Sequence, residues 1–400
     1  MPEYRAVPHG RRVAFERMRD YAFAPQKGEQ EYENEADFPT DLSSRRGLFE
    51  DEELLAICSY FDFEAALEGE RVHVGGVSSV ASPPENRRGG LVTRLLTDLL
   101  TEFRAEGITL SALWPFAYEF YERHGWAPVQ KHARYEFDPE AVAFADENPL
   151  GEFRKVDADE YEALAAVYEQ AMDGYALATA RDEDWWRHRI FDRWQETPYV
   201  YVWERDGEPR GYLTYSVKML EEETWSRELR VHELMYADYE ALEQLLRFCY
   251  YHDSQVDNVV LGMDEETAVL DMVPDPRALT CTVRPGVMFR LVDVPAALER
   301  RPYPADLTGE FTVAVEDDLL DWNDGTFRVT FEDGAATCTP VETETPDVRT
   351  DVNGLSQRYV GYLDPETAEA LSAFTVENGA KRDLLSVAFP ERDVYLPEAF

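Results

Sequence analysis

The chain has 400 residues and a mass of 46.0 kDa, enough for two to four domains with buried cores. Hydrophobic residues make up 44% and aromatic residues 13%, which excludes a disordered acidic polymer, and a net charge of −42 excludes general nucleic-acid binding, because phosphate contacts need clustered positive charge. No apolar run approaches the ~18 to 20 residues of a membrane span, and Met1 to Arg12 holds no hydrophobic signal segment, so a soluble, cytoplasmic protein is expected.

From the N-terminus, residues 4–7 read as a short strand and 11–23 as a helix with Phe15, Met18 and Phe23 roughly on one side. A hairpin follows, apolar and aromatic over 54–63, then β-branched over 72–80 with an interruption at Gly75 and Gly76. Leu91, Leu95, Leu96, Leu99, Leu100 and Phe103 keep the spacing of an amphipathic helix packed on a sheet. The first segment runs to about Phe137. Residues 139–151, with two prolines and several acids, read as a linker.

Beyond it the order repeats as a second copy of the same α/β plan. Strands are expected at 153–156, 199–204, 210–220, 231–236 and 259–263, and helices at 158–172 and 239–251. A third region begins near Val292, with a helix opening at Val294, strands at 309–315 and 326–332, a helix around 365–372, and an extended tail over 394–400.

Acidic residues are spread along the whole chain, whereas an interaction tail would show as one block. Lysine is confined to Lys27, Lys131, Lys155, Lys218 and Lys381, all other basic residues being Arg. A carboxylate-rich, Lys-poor surface suits concentrated salt, where the Debye length is about 3 Å at 1 M and like charges barely repel. An ordinary acidic protein encoded by GC-rich codons has the same composition. Cys58, Cys249, Cys281 and Cys338 form no CxxC pair, and the seven histidines show no HxxxH or HExxH spacing, so reduced core cysteines and no structural metal are expected.

The most informative stretch is the strand end Val77-Ser78-Ser79-Val80, a turn, and Arg87-Arg88-Gly89-Gly90 before Leu91. Backbone N–H groups converge at such a helix start, the dipole adds about half a positive charge, and glycines allow close approach, so a pyrophosphate would fit. An ordinary helix start with two solvated arginines has the same spacing. Neither GxxxxGK[ST] nor GxGxxG is present.

This stretch resembles motif A of the GCN5-related N-acetyltransferases, (Q/R)xxGx(G/A), with Arg87 and Gly90 in the first and fourth places and Val92 at the usually small sixth. The whole chain resembles the Eis (enhanced intracellular survival) acetyltransferases. The likeness is carried by 77–91, by Phe120-Tyr121-Glu122-Arg123-His124-Gly125-Trp126, by 231–238 with Leu246-Arg247-Phe248, by Met288-Phe289-Arg290-Leu291-Val292-Asp293-Val294, and by the terminal Phe400. The resemblance implies two tandem acetyltransferase domains and a sterol-carrier-protein-like domain, α/β (α+β) in class. Their boundaries are set at 1–138, 152–290 and 291–400.

By the same resemblance, acetyl-CoA is the co-substrate. Val77, Ser78, Ser79 and Val80 would hold its pantetheine and acetyl carbonyl by backbone contacts, and Arg87, Arg88, Gly89, Gly90 and Leu91 its pyrophosphate. Tyr121 would protonate the departing thiolate, since a phenol near pKa 10 is a neutral donor at working pH. Packing of Tyr121 with Phe116, Phe120 and Trp126 in an aromatic corner is the competing reading; Tyr118 has the wrong offset from Gly125, and His124 reads as a polar neighbour. The α-carboxylate of Phe400 would accept the amine's proton, with Glu398 either favouring a cationic substrate or serving as one more surface acid. A frayed terminus is the ordinary expectation for a chain end, but an apolar Phe after Pro397 suggests docking.

The second domain lacks the phosphate loop and is expected to bind no coenzyme. The resemblance also implies a hexamer. The expected activity is acetyl transfer to a primary amine of a small polyamine or aminoglycoside-like substrate, by direct attack in a ternary complex. A catalytically silent scaffold or lipid-binding protein, and a protein lysine acetyltransferase, are the alternatives.

Overall fold

Two long strands, Glu53–Leu67 and Glu70–Ala81, pair antiparallel across a turn at Glu68 and Gly69, both in the left-handed region (φ 52 and 80). They centre an eight-stranded sheet in the order Glu3–Ala6, Ser44–Glu50, Glu53–Leu67, Glu70–Ala81, Leu110–Leu113, Met288–Leu291, Ala127–Pro128, with Thr179–Ala180 pairing at Glu64 and Ala65. The computed structural model describes residues 2–28, 30–32, 38, 41–193, 197–221, 225–343 and 345–400. Among these, no helix is long and apolar enough to cross a membrane.

The Leu91–Glu106 helix lies on one face of this sheet as its spacing predicts, with Leu95, Leu96, Leu99, Leu100 and Phe103 fully buried. Its C-terminus ends on the left-handed Gly107. A second sheet of seven strands runs Leu279–Pro285, Lys131–Phe137, Asn258–Asp264, Ser226–Tyr236, Glu208–Glu221, Tyr199–Arg205, Glu152–Lys155. It carries the Tyr239–Tyr250 helix, whose Leu242, Leu245, Leu246 and Cys249 are buried. A third sheet of five strands runs Ala335–Pro340, Gly325–Glu332, Gly309–Glu316, Val348–Asp351, Thr375–Val376. The α/β (α+β) class is as expected. All four cysteines are free thiols, and Cys58, Cys249 and Cys338 are buried.

Strand pairing does not follow the domain boundaries drawn from the sequence. One compact unit comprises residues 1–130, 175–180 and 287–400, and the other 131–174 and 181–286. Lys131–Phe137, expected to close the first domain, pairs with Asn258–Asp264 and Leu279–Pro285, because its alternating Ala133, Tyr135 and Phe137 fit the second core. Met288–Leu291, expected at the end of the second domain, is buried at every position and fills the place between Leu110–Leu113 and Ala127–Pro128. The expected linker at 139–151 is also corrected: Pro139–Asp146 is a short helical segment capped by Asp138, and its Val142 and Ala145 are buried in the second core. The strands Ser44–Glu50, Leu279–Pro285, Ala335–Pro340 and Val348–Asp351 and the helix Val352–Tyr359 have no counterpart in the sequence reading.

Candidate active site

The strand carrying Val77 to Val80 changes character at its centre. It pairs in parallel with Leu110–Leu113 from Val74 to Val77, and that pairing ends at Val77 opposite Leu113 while the strand itself continues to Ala81. On its other side the register shifts between Ser59, which faces Ser78, and Ile57, which faces Ala81. Ser79 sits in this bulge with φ 54. A bulge re-aims the backbone and ends regular pairing, so Ser78 to Val80 offer main-chain groups on the stretch of the strand beyond its last pair with Leu113.

The turn that follows leads to Arg87, Arg88, Gly89 and Gly90. Arg88 and Gly90 are left-handed (φ 61 and 76) while Gly89 between them is not, an alternation that gathers consecutive N–H groups into a concave anion nest. Gly90 is the N-cap of the 16-residue Leu91–Glu106 helix and no side chain caps it. The amides of the first turn therefore face outward with the positive end of the dipole. Arg87 to Gly90 are exposed, and the Arg87 side chain donates to the Ser82 carbonyl at 3.1 Å.

Tyr121 lies in the short helix Tyr118–Glu122 and is 2% exposed. Its ring meets Phe116, Phe120 and Trp126 edge-on at 5.4, 5.2 and 6.1 Å, so the aromatic corner exists. Burial, and then the neighbouring Cys58, push its pKa above the ordinary phenol value, which keeps the proton on the hydroxyl.

The helix that holds Tyr121 is bolted to its surroundings. His124 Nδ1 lies 2.6 Å from the Phe120 carbonyl and Nε2 lies 2.9 Å from Thr93 Oγ1, in the first turn of the Leu91–Glu106 helix. Burial lowers the His124 pKa, so the neutral ring donates from Nδ1 and accepts at Nε2, a structural role. Gly125 (φ 88) leaves room for Arg290, whose guanidinium would sit 1.7 Å from a Cβ there. Arg290 donates to the His124 carbonyl and pairs with Asp317 at 2.5 Å, while Asn353 Nδ2 donates to the Glu122 and Trp126 carbonyls at 3.0 Å each.

The C-terminal tail docks on this same unit. Val394 bridges Ala176, the Tyr395 amide donates to the Ala176 carbonyl at 3.0 Å, and the Leu396 amide donates to Gln130 Oε1 at 2.8 Å. The Trp114 indole N–H donates to the Glu398 carbonyl at 2.6 Å. Glu398 is 4% exposed, so it is not a surface acid.

The Phe400 ring ends at the central strand, tilted against Phe61 and Phe63 at 6.0 and 5.6 Å. The adjacent glycines explain how both faces of the strand are approached. A Cβ on Gly75 would lie 2.3 Å from the Phe103 ring of the helix, and one on Gly76 would lie 3.0 Å from the Phe400 ring.

Arg87 to Gly90, the bulged strand, Tyr121 and Phe400 all belong to one compact unit. Sequence reading missed Trp114, Gln130, Asp317 and Asn353. Only Trp114, an indole donor directly after the apolar run Leu110–Leu113, left a sequence signal.

Models of an acetyltransferase (GNAT) domain match residues 3–129 and, separately, 177–291, and a sterol carrier protein domain matches 294–397. The chain is 27% identical over 336 residues to an uncharacterized N-acetyltransferase of Streptomyces avermitilis, covering 80% of each protein. It is 26% identical over 376 residues to the N-acetyltransferase Eis of Mycobacterium tuberculosis, covering 90% of each. Among solved structures, a GCN5-related N-acetyltransferase from Anabaena variabilis shares the fold over 100% of both chains with a TM-score of 0.80 and 18% identity. Eis1 from Mycobacterium abscessus does so over 100% of both with a TM-score of 0.74 and 24% identity. The chain is an acetyl-CoA-dependent N-acetyltransferase of the GCN5-related family, with the Eis arrangement of two such domains followed by a sterol-carrier domain.

Proposed function

We propose that the chain acetylates a primary amine of a small polyamine or aminoglycoside-like molecule by direct attack on the thioester in a ternary complex. The observation that carries this reading is the docked tail: the Phe400 ring packs on Phe61 and Phe63 and against Gly76, two residues before the bulged segment. Main-chain groups of Val77, Ser78, Ser79 and Val80 bind the pantetheine and steady the oxyanion. Arg87, Arg88, Gly89, Gly90 and Leu91 hold the pyrophosphate.

The substrate arrives as an ammonium and must lose a proton before it can attack. The α-carboxylate of Phe400 draws that proton off through water, since a carboxylate near pKa 3.5 is too weak a base to take it alone. The neutral amine adds to the acetyl carbonyl, the carbon–sulfur bond breaks, Tyr121 delivers its proton to the sulfur, and the second proton that the nitrogen sheds as the amide forms returns through water to the Tyr121 phenolate. Buried Glu398 adds negative charge that favours a cationic substrate. Excess acid and scarce lysine support operation in concentrated salt.

Thiol release from acetyl-CoA is measured with a panel of amines in molar KCl. Tyr121→Phe should lower turnover by roughly 10²- to 10⁴-fold with acetyl-CoA affinity preserved, as loss of a general acid does. Removing Phe400 should abolish most turnover and leave the fold intact. Unchanged turnover in either variant reassigns that residue, preference for lysine peptides over small amines makes the chain a protein acetyltransferase, and no release with any amine makes it a silent scaffold.

A further inference from the structure

We propose that Trp114 is the positioning residue that fixes where the terminal carboxylate lies. The inference rests on the reading of Phe400 given above and adds the group that sets its register.

The tail is held at alternate residues, as an extended chain with period two allows. Gln130 holds the Leu396 amide, Trp114 holds the Glu398 carbonyl, and the Phe61 and Phe63 rings hold the Phe400 ring. Of these anchors only Trp114 lies at the end of the Leu110–Leu113 strand. It directly follows Leu113, and Leu113 opposite Val77 is the last pair of that parallel pairing.

Its indole donates at 2.6 Å, close to the short end of N–H···O bonds, from a rigid ring with a fixed donor direction. Two residues span at most about 7 Å of extended chain. One hydrogen bond from Trp114 therefore confines the carboxylate of Phe400 to a small volume beside the bulged strand.

The test is Trp114→Phe, which keeps an aromatic ring and deletes the donor. It is read by three measurements alongside the chain lacking Phe400. Loss of one such bond should lower kcat about 5- to 10-fold, leave the KM for acetyl-CoA within about twofold, and speed release of Phe400 by carboxypeptidase by a factor similar to the fall in kcat. Wild-type kcat and wild-type resistance to carboxypeptidase in Trp114→Phe overturn the proposal while an inactive chain lacking Phe400 keeps the tail reading intact. Full activity in the chain lacking Phe400 overturns the tail reading and this proposal with it. A general loss of packing is separated by the KM for acetyl-CoA, which it would raise. If Trp114→Phe folds poorly, benzothienylalanine at position 114 replaces the N–H by sulfur at nearly constant volume and carries the same measurements.

Discussion

The Leu91–Glu106 and Tyr239–Tyr250 helices follow equivalent strands in two copies of one plan, and the turns that lead into them differ in length and charge. Each preceding strand pairs antiparallel with a bulged register on one side and parallel on the other. In the first copy the turn runs from Ser82 to Gly90, carries two arginines, and leaves the helix amides uncapped. In the second it is Ala237 and Asp238 alone. The Asp238 carboxylate accepts from the Ala241 amide at 2.9 Å and also pairs with Arg210.

A carboxylate seated on the helix start occupies the place an anionic ligand needs and repels it. The second copy keeps the fold, and a capping carboxylate stands at its helix start where the first copy has an uncapped, basic turn. Core packing and ligand binding are thus separable demands on the same architecture, which is why fold likeness alone does not assign chemistry to the second copy.

The comparison breaks most easily at Gly90. Gly90→Asp transfers the second copy's carboxylate to the first, and acetyl-CoA should bind about 10- to 100-fold more weakly by calorimetry. Unchanged affinity would mean that the helix start does not hold the phosphates. A smaller effect is expected from Asp238→Ala, which removes the cap and costs about 1 kcal/mol of stability. Calorimetry should still count one acetyl-CoA per chain, because the short turn supplies neither arginines nor a nest; a second binding event would refute the contrast.

The smallest effect concerns His124, which ties the Tyr121 helix to the Leu91–Glu106 helix of the first copy. Its folded pKa is lowered by burial from the ordinary 6.5, so the unfolded chain binds the proton more readily. Stability should fall as pH drops from about 6.5 through the folded value, by at most one proton's slope. His124→Gln should flatten that part of the curve of stability against pH.

Features written in local spacing were legible from the sequence. The leucine periodicity of 91–103 gave the helix and its buried face, and the basic glycine turn gave its open start. The missing turn before Tyr239 marked the second copy's difference, and an apolar final residue after Pro397 suggested the docked tail. What escaped depends on partners far away in the chain. Nothing near Lys131–Phe137 or Met288–Leu291 says which sheet each joins, because alternation and burial fix a strand's faces and leave its neighbours open. Trp114 and Gln130 hold main-chain atoms of the tail, and a main-chain partner has no side-chain identity to read. Pro139–Asp146 looked like a linker because of the prolines and acids in and around it, while its five apolar residues, Ala141 to Ala145, run without a break and so show no helical period.

Met288–Leu291 also constrains the order in which the protein is made. During synthesis the first sheet emerges with a vacancy at its core, and the Leu110–Leu113 strand waits for a neighbour encoded after the entire second unit. The nascent chain must shelter that apolar border for as long as the ribosome takes to add those intervening residues, so the N-terminal half is committed to finishing late, together with the region that bears its own tail.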